Sequence, residues 1–351
     1  TDIRTTRQVL TRYFEARPKM RVVMEAGGSS QWVSRLIRDC GHEVVVCAPR
    51  RVRLIAESTF KSDEVDAEIL ARLGRIDLGF LGRVTHRSEE AQLLRANLTA
   101  RSALVEARTK WINTVRGILR GFGYRVSGSG RSRDFHKRVA TTELPEELRE
   151  VIQPLLRQLE LMADEIKQLE QKLEVIASEK PVVRHLQEIP GVGLIVALYF
   201  VLSIDDPDRF PRSREVGVFF GFRPTYKGSA TVARRGRISK EGDPEMRRLL
   251  VQAAYGMMNT RKPCQLQKWA LQIEARSDKG IAMVALARKI SILMHHLWVT
   301  GEAFEPFPAT KKKKPSPAGP QPPWLGALPP WPAWPTPTRP STAKPPPNSS
   351  S

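Results

Sequence analysis

An α/β N-terminal unit, a helical coiled-coil segment and a mainly α C-terminal unit are the architecture this sequence predicts, on three observations. Two apolar runs near the N-terminus, MRVVMEA (20–26) and EVVVCA (43–48), flank a helical stretch, the pattern of two buried parallel strands joined by a helix. Leu155, Leu159, Met162, Ile166, Leu169, Leu173 and Ile176 alternate spacings of four and three, an a/d seam of about three heptads. Pro190, Gly191 and Gly193 then make a tight turn between helices, the pattern of a helix-hairpin-helix.

The first strand ends in a carboxylate, Glu25, and GGSS leads into an amphipathic helix carrying Trp32, Val33, Leu36 and Ile37. Pro49 closes the second strand. FKSDEVDAEIL (60–70) starts another helix, on which Val65, Ala67, Ile69, Leu70 and Leu73 share one arc at 100° per residue. Asp63 and Asp66 fall within that arc, whereas Glu64, Glu68 and Arg72 lie opposite. Locally the two aspartates read as an N-cap and a first-turn acid, favoured by free N–H groups and the helix dipole. The sharper reading puts both in a cleft, where a cation or donor must neutralise them. Residues 89–126 are helical and basic, with Leu93, Leu94, Leu98, Leu104 and Val105 as core candidates and Arg101, Arg108, Lys110, Arg116 and Arg120 as charges.

Domain boundaries follow: 1–125, a basic linker over 126–143, the coiled coil over 144–181, a second globular unit over 182–304, and a Pro/Trp-rich tail over 305–351 whose composition predicts disorder. Pro154 limits the seam on its N-terminal side. A hairpin within one chain and a homo-oligomer, dimer or tetramer, compete for that seam.

Composition narrows the partner. The formal net charge is +20 and the pI near 10.3, which points to a polyanion, nucleic acid or an anionic membrane surface. No apolar run reaches the length of a spanning helix and no signal-peptide pattern opens the chain, which favours nucleic acid in the cytoplasm. Cys40, Cys47 and Cys264 lack metal-ligand spacing.

Three constellations could carry chemistry. Glu25, Asp63 and Asp66 could converge at the C-terminal end of the parallel strands, and an oxygen-only set suits Mg²⁺ or Mn²⁺. The IPGVG turn leaves N–H groups at a helix N-terminus for a backbone phosphate, which singles out Gly191 and Gly193. Lys227, Arg234, Arg235, Arg237 and Lys240 crowd a Gly-rich loop before a helix capped by Asp243 with Pro244. These cations could hold phosphates, and a hydroxyl among them, that of Ser229 or Ser239, could attack a phosphodiester.

VVMEAGGSS, KSDEVDA, the coiled coil, IPGVG, GFRPTYKGSA, RGRISKEGD and KGIAMVALARKISILMHHLW occur in this order over about residues 20–305. Together they resemble the insertion-sequence one-ten (IS one-ten) family transposases of DEDD type, also called bridge-RNA-guided recombinases. The resemblance implies an RNase H and resolvase-like N-terminal domain with an inserted coiled coil and a C-terminal transposase domain. It also implies Mg²⁺-dependent strand exchange on DNA, guided by a structured RNA. Glu25, Asp63 and Asp66 match the second, third and fourth acids of the family's tetrad. No residue matches the first: only Asp2 precedes Glu25, and the chain, opening at Thr1, reads as N-terminally truncated. Ser229 matches the family's nucleophilic serine after a one-residue adjustment, with Ser239 a distant second. A Holliday-junction resolvase-like nuclease, and an inactive remnant that only binds nucleic acid, stand as alternatives.

Overall fold

The computed structural model describes residues 3–49, 63–76, 78–79, 81–126, 134–227 and 234–308, without the side chains of Asp63, Tyr226, Lys227, Arg234 and Arg235. Residues 1–307 form one compact unit; the other spans Pro308–Ser351, of which only Pro308 is described. The N-terminal part starts with α1 (Arg7–Glu15), whose first turn is capped by the Thr6 hydroxyl. Strand β1 (Arg21–Glu25), helix α2 (Ser30–Asp39) and strand β2 (Glu43–Cys47) follow. The strands pair in parallel, from Arg21 against Glu43 to Glu25 against Cys47, as the two apolar runs predict.

Strand alternation sends successive side chains to opposite faces, and both faces are covered. Val44 and Val46 pack with Leu10 and Phe14 of α1 and with Val33, Leu36 and Ile37 of α2. Val45 and Cys47 face the other way, onto Leu81 and onto Leu70 of α3 (Asp63–Ile76). Buried His42 locks α1 to the sheet: its Nδ1 accepts the Met20 N–H at 3.3 Å and its Nε2 lies 2.9 Å from the Phe14 carbonyl. The Nε2–H tautomer satisfies both bonds.

Helix α3 packs against β1 through its C-terminal part. Arg21 donates to the Gly74 carbonyl at 3.1 Å, and a Cβ on Gly74 would fall 2.4 Å from Val23 Cγ2. The C-terminal part of α3, at Gly74, therefore packs against the start and middle of β1. Leu70 is buried, Val65, Ile69 and Leu73 are half-buried, and Ala67 and Asp66 are exposed. The expected buried arc thus narrows toward the first turn, because the core on this face begins at Leu70 and the helix start extends past it.

The basic stretch forms α4 (Glu89–Gly121), followed by α5 (Phe135–Ala140) and α6 (Glu146–Ser178). Helices α4 and α6 are both 33 residues long and pair antiparallel. Ala91 and Leu98 meet the Leu173 to Ala177 end, and Ile112, Val115 and Leu119 meet Leu148, Ile152, Leu156 and Leu159. Midway, Arg101 and Glu170 form a largely buried ion pair at 2.7 Å. The a/d seam is therefore occupied by α4 of the same chain, the hairpin alternative. Helix α6 also runs through Pro154, which sits on the exposed face, so the seam is not limited there. It continues through Leu156, Ile152 and Leu148, because α5 adds Phe135 and Val139 to that end. Two further expectations change: Leu93 is 68% exposed, and Arg108 is buried.

The C-terminal part holds the largest core. Helices α7 (Pro181–Leu186) and α8 (Leu194–Ile204) flank the IPGVG turn, and every residue of α8 from Val196 to Ile204 is buried. A 3₁₀ turn (Pro207–Arg209) and α9 (Arg214–Phe219) lead to an antiparallel ribbon, β3 (Pro224–Lys227) and β4 (Arg234–Ile238). Helices α10 (Pro244–Met258), α11 (Gln265–Arg276) and α12 (Lys279–Thr300) complete the unit. Although sequence reading finds no spanning run, α12 meets that criterion by length and composition. Its Met283, Leu286, Ile290, Met294 and Leu297 lie in the core with α8 and α10.

Gly191 has a packing role that the sequence pattern does not reveal. Its φ is +85°, and a Cβ there would lie 2.2 Å from the Ala253 carbonyl oxygen and 2.7 Å from the Met257 nitrogen of α10. Gly191→Ala should destabilise the fold by about 1–3 kcal/mol through backbone strain and clash. Urea unfolding measures this; an unchanged midpoint with weakened nucleic-acid binding would assign Gly191 to phosphate contact alone.

Candidate active site and nucleic-acid interface

Glu25 closes β1 at the C-terminal end of the sheet, where open α/β folds place their ligands, and its side chain is exposed. Its influence reaches the neighbouring strand: the Cys47 thiol is pushed up by burial and, secondarily, by the Glu25 carboxylate. Leu70 of α3 shares an apolar cluster with Cys47, the residue paired with Glu25 at the strand end, and Asp66, one turn earlier on the helix, is exposed. Asp63 is the first described residue of α3, and Asp66 lies three residues on, on the same side of the helix. Its carboxylate lies outside the described residues. Among the described residues no group of three His, Cys, Asp or Glu side chains could hold a metal. Carboxylate oxygens at the open end of a parallel sheet nevertheless have the chemistry of a hard divalent-cation site.

The ribbon places the basic constellation. Tyr226 pairs with Arg235 and Lys227 with Arg234, so those cations flank residues 228–233 in the sequence. Ser229 lies outside the described residues, as do the side chains of Lys227, Arg234 and Arg235. Arg237 and Lys240 are exposed, the latter at φ +57°. Ser239 is committed locally: its N–H donates to the Arg223 carbonyl at 2.7 Å and its hydroxyl accepts the Glu241 N–H at 3.3 Å. That is the geometry of a turn former. Gly193 is the exposed N-cap of α8, and a Cβ there would meet nothing within 4 Å, so its backbone is open to solvent.

Asp243 caps α10 as its sequence predicts, accepting from the N–H groups of Glu245 and Met246 at 3.0 and 3.1 Å. Sequence reasoning missed its other partners. Arg95 of α4 donates to Asp243 and to the Tyr199 hydroxyl, its guanidinium lies 4.6 Å from the Tyr199 ring centroid, and Tyr199 in turn donates to Asp243. Arg95 and Asp243 expose only 16% and 12% of their side chains. Burial, with Asp243 beside it, pushes Tyr199 up to about 12. Around this knot, Arg87 donates to the Ser203 carbonyl at 3.0 Å, Ser88 bonds to Asp205, and Ser102 donates to Glu245. Arg35 of α2 reaches Gln92 at 2.8 Å. The first third of α4 is thereby bound to the parallel-sheet unit on one side and to α8 and α10 on the other.

Breaking a buried pair leaves one charge without compensation. Arg95→Met should cost about 3–5 kcal/mol, and Arg95→Met with Asp243→Asn less than the sum of the single changes, measured as a double-mutant cycle by urea unfolding. Tyr199 adds a pH signature. Its folded pKa is raised, so its contribution is complete below about pH 10 and is lost as pH rises toward 12. Tyr199→Phe should remove that part of the alkaline decline in stability.

Comparison with known proteins gives the family. A family described as Transposase IS116/IS110/IS902 family matches residues 183–270, and the DEDD family of IS110, described as Transposase, matches residues 1–123. The chain is 29% identical over 308 residues to the transposase for insertion sequence element IS1328 of Yersinia enterocolitica, covering 86% of this chain and 90% of the relative. It is 29% identical over 291 residues to the transposase for insertion sequence element IS1111A of Coxiella burnetii, covering 81% and 79%. A putative transposase, y4pF/y4sB, of Sinorhizobium fredii is 28% identical over 306 residues, covering 85% and 78%. One match spans the acid-bearing unit and the other the turn, the ribbon and α10: the chain belongs to the IS110 family of DEDD transposases and is an insertion-sequence transposase.

Proposed function

We propose that this transposase cuts and rejoins DNA with Glu25, Asp63 and Asp66 as the carboxylates of an RNase H-like centre and Ser229 as the nucleophile. The observation that supports the reading is the packing of α3 against β1, with Leu70 in one apolar cluster with Cys47, the residue paired with Glu25. The three carboxylates would hold a divalent ion, Mg²⁺ in our reading, which supplies charge stabilisation to the attacking and leaving oxygens when bound. The exposure of Glu25 and Asp66 fits this role, because a phosphodiester must approach from solvent.

Ser229 acts from the other unit. Its hydroxyl oxygen attacks phosphorus, forming a serine phosphoester as the strand's bridging oxygen departs and takes a proton; rejoining reverses the exchange with a new strand end. Lys227, Arg234, Arg235, Arg237 and Lys240 hold backbone phosphates along the ribbon, and the open N-terminus at Gly193 adds a neutral donor set, with Gly191 shaping the turn. A structured guide RNA selects the DNA, the protein works as a homo-oligomer in the cytoplasm, and the N-terminal unit, the α4–α6 hairpin and the C-terminal unit divide the labour.

Asp66→Asn tests the carboxylates. Asp66 is exposed, so stability should stay within about 0.5 kcal/mol of the parent while metal-dependent strand cleavage is lost. A destabilised variant that still cleaves would make Asp66 a helix-start acid and nothing more. For the nucleophile, denaturing gels after reaction with cognate DNA ends, guide RNA and Mg²⁺ should show a protein-DNA adduct that Ser229→Ala abolishes; an adduct that persists assigns the attack elsewhere.

A further inference from the structure

A cleft of about 850 Å³ opens between α2, α4 and the start of α10, on the sheet side of the Arg95–Asp243 knot. Gln31, Arg87, Gln92, Arg95, Thr99 and Asp243 line it. We propose that this cleft seats a backbone phosphate of a nucleic-acid strand running from the carboxylate end of the sheet toward the ribbon. The inference deepens the strand-exchange reading, on which the identity of the strand rests.

Charge is the first argument. The acid in the cleft is already neutralised: Asp243 accepts two helix N–H groups, Arg95 and Tyr199. Arg87 lines the cleft and donates through Nε to the Ser203 carbonyl, and the nearby Asp243 and Tyr199 only partly offset its burial. Burial, then Arg95 beside it, holds Arg87 down to about 10, still charged at neutral pH. His86, next in the chain, is lowered by burial and by Arg38, Arg35, Arg87 and Arg209, so the cationic field extends across the wall. Such a concentration of guanidinium groups around a concave space favours a mobile anion.

Unfilled hydrogen-bonding capacity is the second argument. The Gln31 side-chain oxygen and the Arg95 Nε are both buried without a hydrogen-bond partner. Buried polar atoms in native folds are almost always satisfied, so two at one cleft mark a place where a ligand belongs. A phosphate oxygen accepts from Arg95, and the Gln31 amide, turned to present its NH₂, donates to the same group.

Position is the third. Gln31 sits in the first turn of α2, six residues after Glu25, and Pro244 follows the ribbon by six residues. Along the chain, the cleft is thus flanked by the strand that carries Glu25 and by the ribbon. Its volume exceeds that of a free phosphate and accommodates the adjoining sugars of a strand.

The test is fluorescence anisotropy on the full chain with a single-stranded DNA oligonucleotide and an RNA of the same sequence, over a range of salt concentrations with chelator present. Arg87→Gln should weaken binding by about tenfold and reduce the slope of log affinity against log salt by about 0.7, the value for one phosphate contact on a single strand. Thr99→Glu, at an exposed position on the same wall, should weaken binding without disturbing the core, and decides the matter if Arg87→Gln melts early. Loss on DNA, on RNA or on both supports the seat and names its occupant. Parental affinity and slope in both variants on both strands overturn it. Because no metal is present, the result stands apart from the carboxylate reading, whose failure would appear as unimpaired cleavage by the Asp66→Asn variant.

Discussion

The arrangement of this transposase depends on one buried ion pair, Arg95 with Asp243, closed by the Tyr199 hydroxyl. A guanidinium and a carboxylate that expose less than a fifth of their surface cannot be left apart, since either alone would carry the full cost of a buried charge. The pair therefore fixes one register of α4 against α8 and α10. Because Asp243 is also the N-cap of α10, the same carboxylate sets where that helix begins and hence where the ribbon before it ends. The contacts from Arg87, Ser88 and Ser102 follow from that register.

Helix α4 then works as a strut with three attachments. Its first third joins the largest core through Ala91 and Leu98, its middle pairs Arg101 with Glu170, and its last third builds a separate core with α5 and α6. The parallel sheet is tied to the same helix through Arg35 and Gln92. Long helices transmit position well because each residue's backbone is bonded one turn away. A displacement at the knot would be felt along the hairpin and at the sheet.

Much of the local structure was legible in the sequence. Both strands, the intervening helix, the start of α3 at the KSDEVDA stretch and the Asp243–Pro244 cap follow from period, β-branching and capping chemistry, which act over a few residues. The seam was legible as a seam, but its partner was not: an a/d pattern specifies an apolar stripe and is silent on whether the matching stripe lies in the same chain. Pro154 misled because a proline on the exposed face can be accommodated within a helix whose buried stripe supplies most of the stability. Leu93 and Arg108 exchanged their expected environments because α4 turns different faces to two successive cores.

The candidate site divides along the same line. Sequence alone determined the chemical character of its parts: carboxylates at a strand end and a helix start, cations around a Gly-rich loop, a Pro-Gly turn, and a charge suited to nucleic acid. Tertiary structure decided that α3 packs against β1 at Gly74, that Gly191 serves the packing of α10, and that Arg95 meets an acid 148 residues away. The physical reason is range. Propensity and periodicity are encoded by near neighbours, whereas the approach of distant charges is settled only when burial removes the water that would otherwise have solvated them.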